Sequence, residues 1–153
     1  MANTYTQINI HAVFAVKERQ NLLTDTFRKD LFRYISGILN NMGQYSLAVN
    51  GSKDHVHVFF ELNPTKALCD IMRDVKSNSS KWINDHKLVA GKFAWQEGYG
   101  GFSYSRSQRD QVINYIVNQE KHHTKNTFRE EYQELLRKFE IEFKDEYVFE
   151  FYE

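Results

Sequence analysis

Two strand-like segments joined by an Asn-Gly turn constrain the fold of this 153-residue chain more than any other feature. Residues 45–49 and 55–62 are rich in apolar and β-branched side chains, and Asn50-Gly51 lies between them. Asn-Gly readily adopts the backbone conformation that tight hairpin turns require. The segment therefore predicts an antiparallel β-hairpin whose second strand begins at His55.

The flanking segments predict the other elements. Residues 4–16 alternate as a first strand, and residues from Thr24 to Gly43 have helical spacing. Pro64-Thr65 introduces a second long helix, and a fourth strand is predicted around residues 102–104. Ser107 is predicted to cap a third helix over 108–122, followed by a helix over 128–139 and an extended segment over 147–152.

The order of these elements indicates the fold class. A β-α-β-β-α-β order is that of the ferredoxin-like or RRM-like α+β fold, in which two helices cover one face of an antiparallel sheet. A helix bearing Tyr115 and one further helix are appended at the C-terminal side. We expect a single domain over 1–153, with a core of about 4–123, a tail of about 124–153 and the second sheet face open for function.

Composition narrows the functional classes. The single Cys69 excludes an internal disulfide and a cysteine-based structural zinc site, so a reducing, cytoplasmic setting is expected. No apolar run is long enough to cross a membrane. The net charge of 0 argues against a general nucleic-acid coat protein, but residues 120–153 carry ten acidic and six basic side chains. The remainder is therefore basic overall, which permits a polyanionic partner.

Two pairs of polar side chains are candidates for chemistry. His55 and His57 alternate on a strand, so both imidazoles project from the same face and could hold one metal ion. Tyr115 and Gln119 are four residues apart on a predicted helix and also share a face. Asp54 could orient an imidazole or could be a turn residue. His122 and His123 are interpreted as helix-terminal residues rather than ligands.

Four motifs together resemble a known family. They are NGSKDHVH at 50–57, KSNSSKW at 76–82, WQEGY at 95–99 and NYIVNQ at 114–119. In order and spacing the chain is similar, from Tyr5 to His123, to the small single-tyrosine transposases with a His-hydrophobe-His (HUH) motif. This family includes the transposases associated with repetitive extragenic palindromes, or REPs.

The resemblance implies a reaction and a set of roles. Tyr115 would attack a phosphodiester of single-stranded DNA beside an imperfect hairpin, giving a 5′-phosphotyrosine link and a free 3′-hydroxyl. His55, His57 and Gln119 would bind a divalent metal, Mg²⁺ or Mn²⁺. Because this set contains no carboxylate, we expect weak metal binding that improves when DNA is present. The resemblance also implies a homodimer, with Tyr115 acting either within its own subunit or in its partner.

Contacts to DNA are predicted from basic and aromatic side chains near these motifs. Phosphate contacts are expected from Lys17, Arg19, Lys53, Lys76, Lys81, Arg106 and Arg109. Tyr99, Phe102 and Tyr104 are available for base stacking. About half of these residues are expected instead to be ordinary solvated charges or buried aromatics.

Two other functions compete with a transposase. The first is a non-catalytic module that binds single-stranded nucleic acid through a ferredoxin-like sheet. Such a module has no need of the Tyr115 and Gln119 spacing. The second is a histidine phosphotransferase or nucleotide hydrolase, but that chemistry would favour a third alternating histidine, and position 59 is Phe.

Overall fold

The computed structural model describes residues 3–119 and 127–142. It contains four strands and four α-helices in these residues, together with short 3₁₀ turns at Lys17–Arg19 and Arg106–Gln108. In chain order the elements are β1 (Asn9–Ala15), α1 (Arg28–Asn41), β2 (Tyr45–Gly51), β3 (His55–Glu61), α2 (Leu68–Asp85), β4 (Gly100–Tyr104), α3 (Arg109–Val117) and α4 (Phe128–Lys138).

The four strands form one antiparallel sheet in the order β2-β3-β1-β4. This order and connectivity confirm the predicted ferredoxin-like α+β fold. Strand β1 lies in the middle of the sheet, and all seven of its residues are buried. Its register with β3 pairs Val13 with His57 and Ala15 with His55. The register therefore places both histidines at the centre of the sheet rather than at an edge.

One face of the sheet is covered by α1 and α2, as predicted. Apolar side chains at every second position of β1 and β3 meet the apolar stripes of the two helices. Leu31 and Ile35 of α1 and Ile71 and Val75 of α2 are fully buried in this layer. Each such side chain contributes about 1.5–3 kcal/mol on burial, so this layer is the main source of stability.

The opposite face is not open, and the prediction that it is open was wrong. Helix α3 packs Val112 and Ile116 against Phe59, which projects from β3. Helix α4 packs its own apolar stripe against Val13, Ala15 and Phe102. Both helices carry enough apolar surface to require burial, and this face is the surface that they cover. The histidines of β3 lie beneath them.

The prediction that Asn50-Gly51 forms the hairpin turn was wrong: both residues extend β2 and pair with His57 and Val56, and residues 52–54 connect the two strands. The Asn50 amide is held in the strand by a hydrogen bond that it donates to the backbone oxygen of Ile116 at 3.0 Å.

Several other predicted boundaries shift by a few residues. Helix α2 begins at Leu68, after the predicted start at Pro64-Thr65. Helix α3 begins at Arg109, after a 3₁₀ turn that Ser105 precedes; Ser105 rather than Ser107 forms the capping interaction, its backbone N–H donating to Gln108 Oε1 at 3.1 Å. Helix α4 starts at Phe128 as predicted.

Parts of the predicted C-terminal elements lie outside the described residues. They are the end of the third helix with His122 and His123, and the extended segment over 147–152. Within residues 3–119 and 127–142, every helix is too short or too polar to span a bilayer.

Candidate active site

His55 and His57 project from the same face of β3, as their alternation predicts. Both side chains are fully buried, and their ring centroids are 5.1 Å apart in an edge-to-face arrangement. Phe128 of α4 stacks directly on His55 with ring centroids 4.0 Å apart. The pair is therefore a buried site and not a solvated strand face.

Asp54 orients His55. Its Oδ1 is 2.7 Å from His55 Nδ1, while its Oδ2 is paired with Arg19 Nε at 3.1 Å. A carboxylate only accepts hydrogen bonds, so the imidazole proton lies on Nδ1. The contact directs His55 Nε2 to the interior of the site, which is the arrangement found in metal-ligating histidines.

His57 is held by a second histidine that the sequence analysis did not select. His11 of β1 places its Nε2 2.7 Å from His57 Nδ1, and the two rings stack with centroids 5.0 Å apart. His11 is fully buried. Burial lowers the pKa of His11 well below its ordinary value, and His57 lowers it further, so His11 is neutral at pH 7. The contact fixes the ring of His57 with Nε2 facing away from the sheet.

A carboxylate that the sequence analysis missed completes the cluster. Glu131 of α4 is 7% exposed, and its Oε1 lies 3.0 Å from His57 Nε2 and 3.6 Å from His55 Nε2. The ligand atoms of these three residues all lie within 4.8 Å of one another. Two imidazoles and a carboxylate are a suitable donor set for Mn²⁺ and a usable one for Mg²⁺. The expectation that no carboxylate is available to the metal therefore no longer holds.

Gln119 follows the end of α3, and its side chain lies at the cluster formed by His55, His57 and Glu131. Its side chain is fully buried, and Oε1 lies 3.3 Å from His55 Nε2. Its Nε2 donates to Glu131 Oε2 at 3.2 Å. The structure therefore brings Gln119 to the histidines, although its service as a ligand stays a prediction. Gln119 and Glu131 offer two oxygen donors where the sequence analysis expected one.

Tyr115 lies beside the cluster in the same chain. Its ring meets His57 edge-to-face with centroids 5.7 Å apart, and its hydroxyl donates a hydrogen bond to Glu131 Oε2. Burial raises the pKa of Tyr115, and the negative charge of Glu131 raises it further. The hydroxyl is thus protonated in this arrangement, and Glu131 links it to the histidine pair.

Four of the predicted DNA-contact residues have partners within the protein. Arg19 pairs with Asp54, and Lys81 pairs with Asp85 one turn later on α2. The Nζ of Lys76 donates to the backbone oxygens of Gln96 and Gly98 at 2.7 and 2.9 Å. These contacts give Arg19 and Lys76 a structural role in the fold.

Arg109 is the fourth of these residues. It donates to Asn9 Oδ1 at 2.9 Å and forms an ion pair with Glu61. Lys17, Lys53 and Arg106 are exposed. Of the predicted stacking residues, Phe102 is buried and 3% exposed, whereas Tyr99 and Tyr104 are partly exposed. The DNA-contact assignments stay predictions, and the exposed residues are the better candidates.

Comparison with known proteins identifies the family. Residues 4–119 match the model of the family described as "Transposase IS200 like". The chain belongs to the IS200-like transposase family. The match spans well over half of the chain and confirms the resemblance noted from the motifs. An IS200-like transposase is an enzyme, so a non-catalytic binding module and a histidine phosphotransferase are set aside.

Individual relatives agree with this family. The chain is 24% identical over 119 residues to the ISDra2 transposase TnpA of Deinococcus radiodurans, covering 74% of this chain and 84% of the relative. A crystal structure described as a transposase from Deinococcus radiodurans has a TM-score of 0.62 at 22% identity, covering 78% of this chain and 95% of that chain.

A further similar structure is a REP-associated tyrosine transposase bound to a REP hairpin. Its TM-score is 0.58 at 14% identity, and the match covers 80% of this chain and 73% of that chain. At these identities the two structures establish the shared fold. The present protein is thus a transposase of the IS200-like family, and Glu131 lies beyond the 4–119 segment that the family model matches.

Proposed function

We propose that this transposase is a metal-dependent endonuclease and strand transferase for single-stranded DNA, with Tyr115 as its nucleophile. The observation that carries the proposal is the convergence of three groups at one buried point. These groups are the Tyr115 hydroxyl, the Nε2 atoms of both histidines and the Glu131 carboxylate. Each group comes from a different element, so the fold and not the local sequence assembles them.

The donor set supports a divalent cation, Mg²⁺ or Mn²⁺, held by His55 and His57 with an oxygen of Glu131, Gln119 or both. Such a cation, when bound, neutralises the charge that develops on a phosphate under attack. Asp54 and His11 keep the two imidazoles oriented toward it. His55, His57 and Gln119 remain the residues that the motif resemblance predicts as ligands.

Glu131 faces the nucleophile with one oxygen and the histidines with the other. Oε2 accepts the hydrogen bond of the Tyr115 hydroxyl, and Oε1 is directed at His57 Nε2. The carboxylate is therefore the nearest acceptor for the phenol proton. As the phenol oxygen bonds to phosphorus, the bond from phosphorus to the 3′ oxygen breaks, and that oxygen leaves as a hydroxyl after taking up a proton.

The 5′-phosphotyrosine link suits strand transfer. It conserves the energy of the broken phosphodiester, so a 3′-hydroxyl of another DNA end can attack it and release Tyr115 without ATP. We propose single-stranded DNA that flanks a hairpin as the substrate. A REP hairpin bound to the REP-associated relative supports this choice. The geometry supports action of Tyr115 within its own chain, and a homodimer stays a prediction.

The test uses hairpin oligonucleotides made from the DNA on either side of the gene. Protein and Mn²⁺ are incubated with each oligonucleotide, labelled either at its 3′ or at its 5′ end, and covalent adducts are separated on denaturing gels. We expect the 3′ label to travel with the protein and the 5′ label to be released on a fragment ending in a 3′-hydroxyl. Chelation of the metal should abolish both products.

The matched variants are Tyr115→Phe and Tyr45→Phe. Tyr45 lies on β2 and is 63% exposed, so its loss controls for the removal of a tyrosine hydroxyl elsewhere. Tyr115→Phe should form no adduct, and Tyr45→Phe should behave as the wild type. An adduct that survives Tyr115→Phe, or one that requires duplex DNA, would overturn the proposal.

A further inference from the structure

A cleft opens between α3 and α4 beside the nucleophile. Its volume is about 400 Å³, within the range of about 300–1,000 Å³ that small-molecule sites occupy. Val112 and Leu135 contribute apolar side chains to its lining, Tyr104 of β4 contributes an aromatic ring, and Tyr115 and Glu131 line the same space. Residues of three elements thus enclose a space that reaches the catalytic cluster.

We propose that this cleft, the flank cleft, binds the unpaired base of a nucleotide directly adjoining the scissile phosphate. The inference rests on the proposed function, because it takes Tyr115 as the group that attacks that phosphate. A phosphate at the Tyr115 hydroxyl has a sugar and base attached to it only a few bonds away. The flank cleft is a concave surface that Tyr115 itself lines, so the nucleotide on one side of that phosphate is within reach of it.

The charges around the flank cleft favour a neutral base over a phosphate. Two carboxylates, Glu131 and Glu134, line the cleft, and Lys138 is the cation that lines it with them. An additional phosphate would be repelled by this net negative charge. A base instead offers an uncharged flat surface that the apolar side chains of the lining can accept.

The aromatic ring of the lining is suited to stacking. Tyr104 is partly exposed, and the exposed Lys138 places its Nζ over the ring, 5.4 Å from the centroid, so a base that stacks there takes the place of this ammonium group. Bases stack on such rings with little regard to sequence. Gln111, an exposed residue of α3, lines the cleft with an amide that can pair with the edge of a base. The flank cleft therefore combines a stacking surface with a hydrogen-bonding group.

The experiment removes the base from the DNA and, separately, fills the cleft. After the cleavage position has been mapped, oligonucleotides are prepared with an abasic site on its 5′ side or on its 3′ side, and initial rates of adduct formation are measured at subsaturating DNA. Gln111→Trp places a large ring in the cleft. Asp110→Trp, on an exposed neighbour in α3 outside the lining, is the matched control.

We expect one of the two abasic substitutions to lower the wild-type rate about tenfold or more, the scale of one base stacked on an aromatic ring. Gln111→Trp should lower the rate on the intact substrate by a similar factor and lose the discrimination between intact and abasic DNA. Asp110→Trp should keep both the wild-type rate on the intact substrate and the discrimination between intact and abasic DNA. If neither abasic site slows the wild type while its adduct still depends on Tyr115, the flank cleft proposal fails and the proposed function stands. If the intact substrate gives no adduct, both fail.

Discussion

The hydroxyl of Tyr115 donates a hydrogen bond to the carboxylate of Glu131, whose other oxygen lies 3.0 Å from His57 Nε2. One side chain of α4 thus contacts both the proposed nucleophile and the histidine pair. It joins a motif on β3 to a motif on α3 that are far apart in sequence. A change at Glu131 should therefore affect both metal binding and the state of the phenol.

Removing the charge of Glu131 should weaken metal binding. We expect Glu131→Gln to reduce the affinity of the protein for Mn²⁺ by about 10- to 100-fold, because a neutral amide replaces a carboxylate in the donor set. Glu130→Gln is the matched control, since Glu130 is the exposed neighbour on the same helix. Isothermal titration calorimetry on the DNA-free protein measures both. Equal affinities in the two variants would remove Glu131 from the ligands and leave Gln119 as the oxygen donor.

His11 should make the protein less stable at mildly acidic pH. Because burial lowers its pKa well below 6.5, the unfolded chain takes up a proton at His11 at a pH where the folded chain does not. The free energy of unfolding therefore falls as the pH drops below about 6.5, by up to about 1.4 kcal/mol per pH unit from this group. Chemical denaturation at pH 7, 6 and 5 measures the slope.

The comparison for this prediction is His11→Gln, which keeps a polar side chain but cannot titrate. Its free energy of unfolding at pH 7 will differ from that of the wild type, so the slopes and not the absolute values are compared. We expect a shallower loss of stability toward pH 5 in the variant. Parallel profiles would show that His11 is protonated in the folded protein at those pH values.

Two lysines that the sequence analysis treated alike should behave differently. Lys76 is half-buried and donates to the backbone oxygens of Gln96 and Gly98, so Lys76→Met should lower the free energy of unfolding by about 1–3 kcal/mol. Lys53 is exposed next to Asp54, so Lys53→Met should leave stability unchanged. Urea denaturation measures both changes.

Binding to single-stranded DNA supplies the second measurement for this pair. If Lys53 contacts a phosphate, Lys53→Met should reduce the slope of log affinity against log salt by about 0.7. An unchanged slope would mean that Lys53 is an ordinary solvated charge. A Lys76→Met variant with wild-type stability would contradict the structural role assigned to that amine.

The end of β2 should tolerate only glycine at position 51. A Cβ atom at Gly51 would overlap the backbone oxygen of His55 and lie 2.9 Å from Val56 Cα. We expect Gly51→Ala to lower the free energy of unfolding by about 1–3 kcal/mol. Gly37→Ala is the control, because a Cβ there meets nothing within 4 Å and alanine favours the interior of α1, giving about 0.5–1 kcal/mol of added stability. A tolerated Gly51→Ala would show that the β2–β3 connection can rearrange.

Local signals in the sequence were sufficient for the sheet and for the histidine pair. The alternation of β3 depends on neighbouring residues only, so it predicted the shared face of His55 and His57. The pairing of β2 with β3 was also predicted, but Asn50-Gly51 is not the turn between them: both residues lie in β2, where they pair with His57 and Val56. The spacing of Tyr115 and Gln119 likewise placed both side chains toward one site. These features follow from backbone periodicity, which a single sequence carries.

The residues that the sequence analysis missed depend on long-range packing. His11 meets His57 only because β1 pairs with β3, and Glu131 reaches the site only because α4 crosses the second face of the sheet. A signal for Glu131 was present: it lies within the apolar stripe of α4, between Phe128 and Leu135 at helical spacing. A carboxylate in such a stripe requires a buried partner, and only the tertiary fold shows which one.

The position of α4 in the chain has a consequence for the order of assembly during synthesis. The ribosome makes β1, β3 and α3, with the histidines and Tyr115, before it makes Glu131. A nascent chain therefore has His55, His57 and Tyr115 before the carboxylate that joins them. On the proposed function, a product terminated before residue 127 would carry all four strands of the described sheet and Tyr115 but would lack the carboxylate that contacts both.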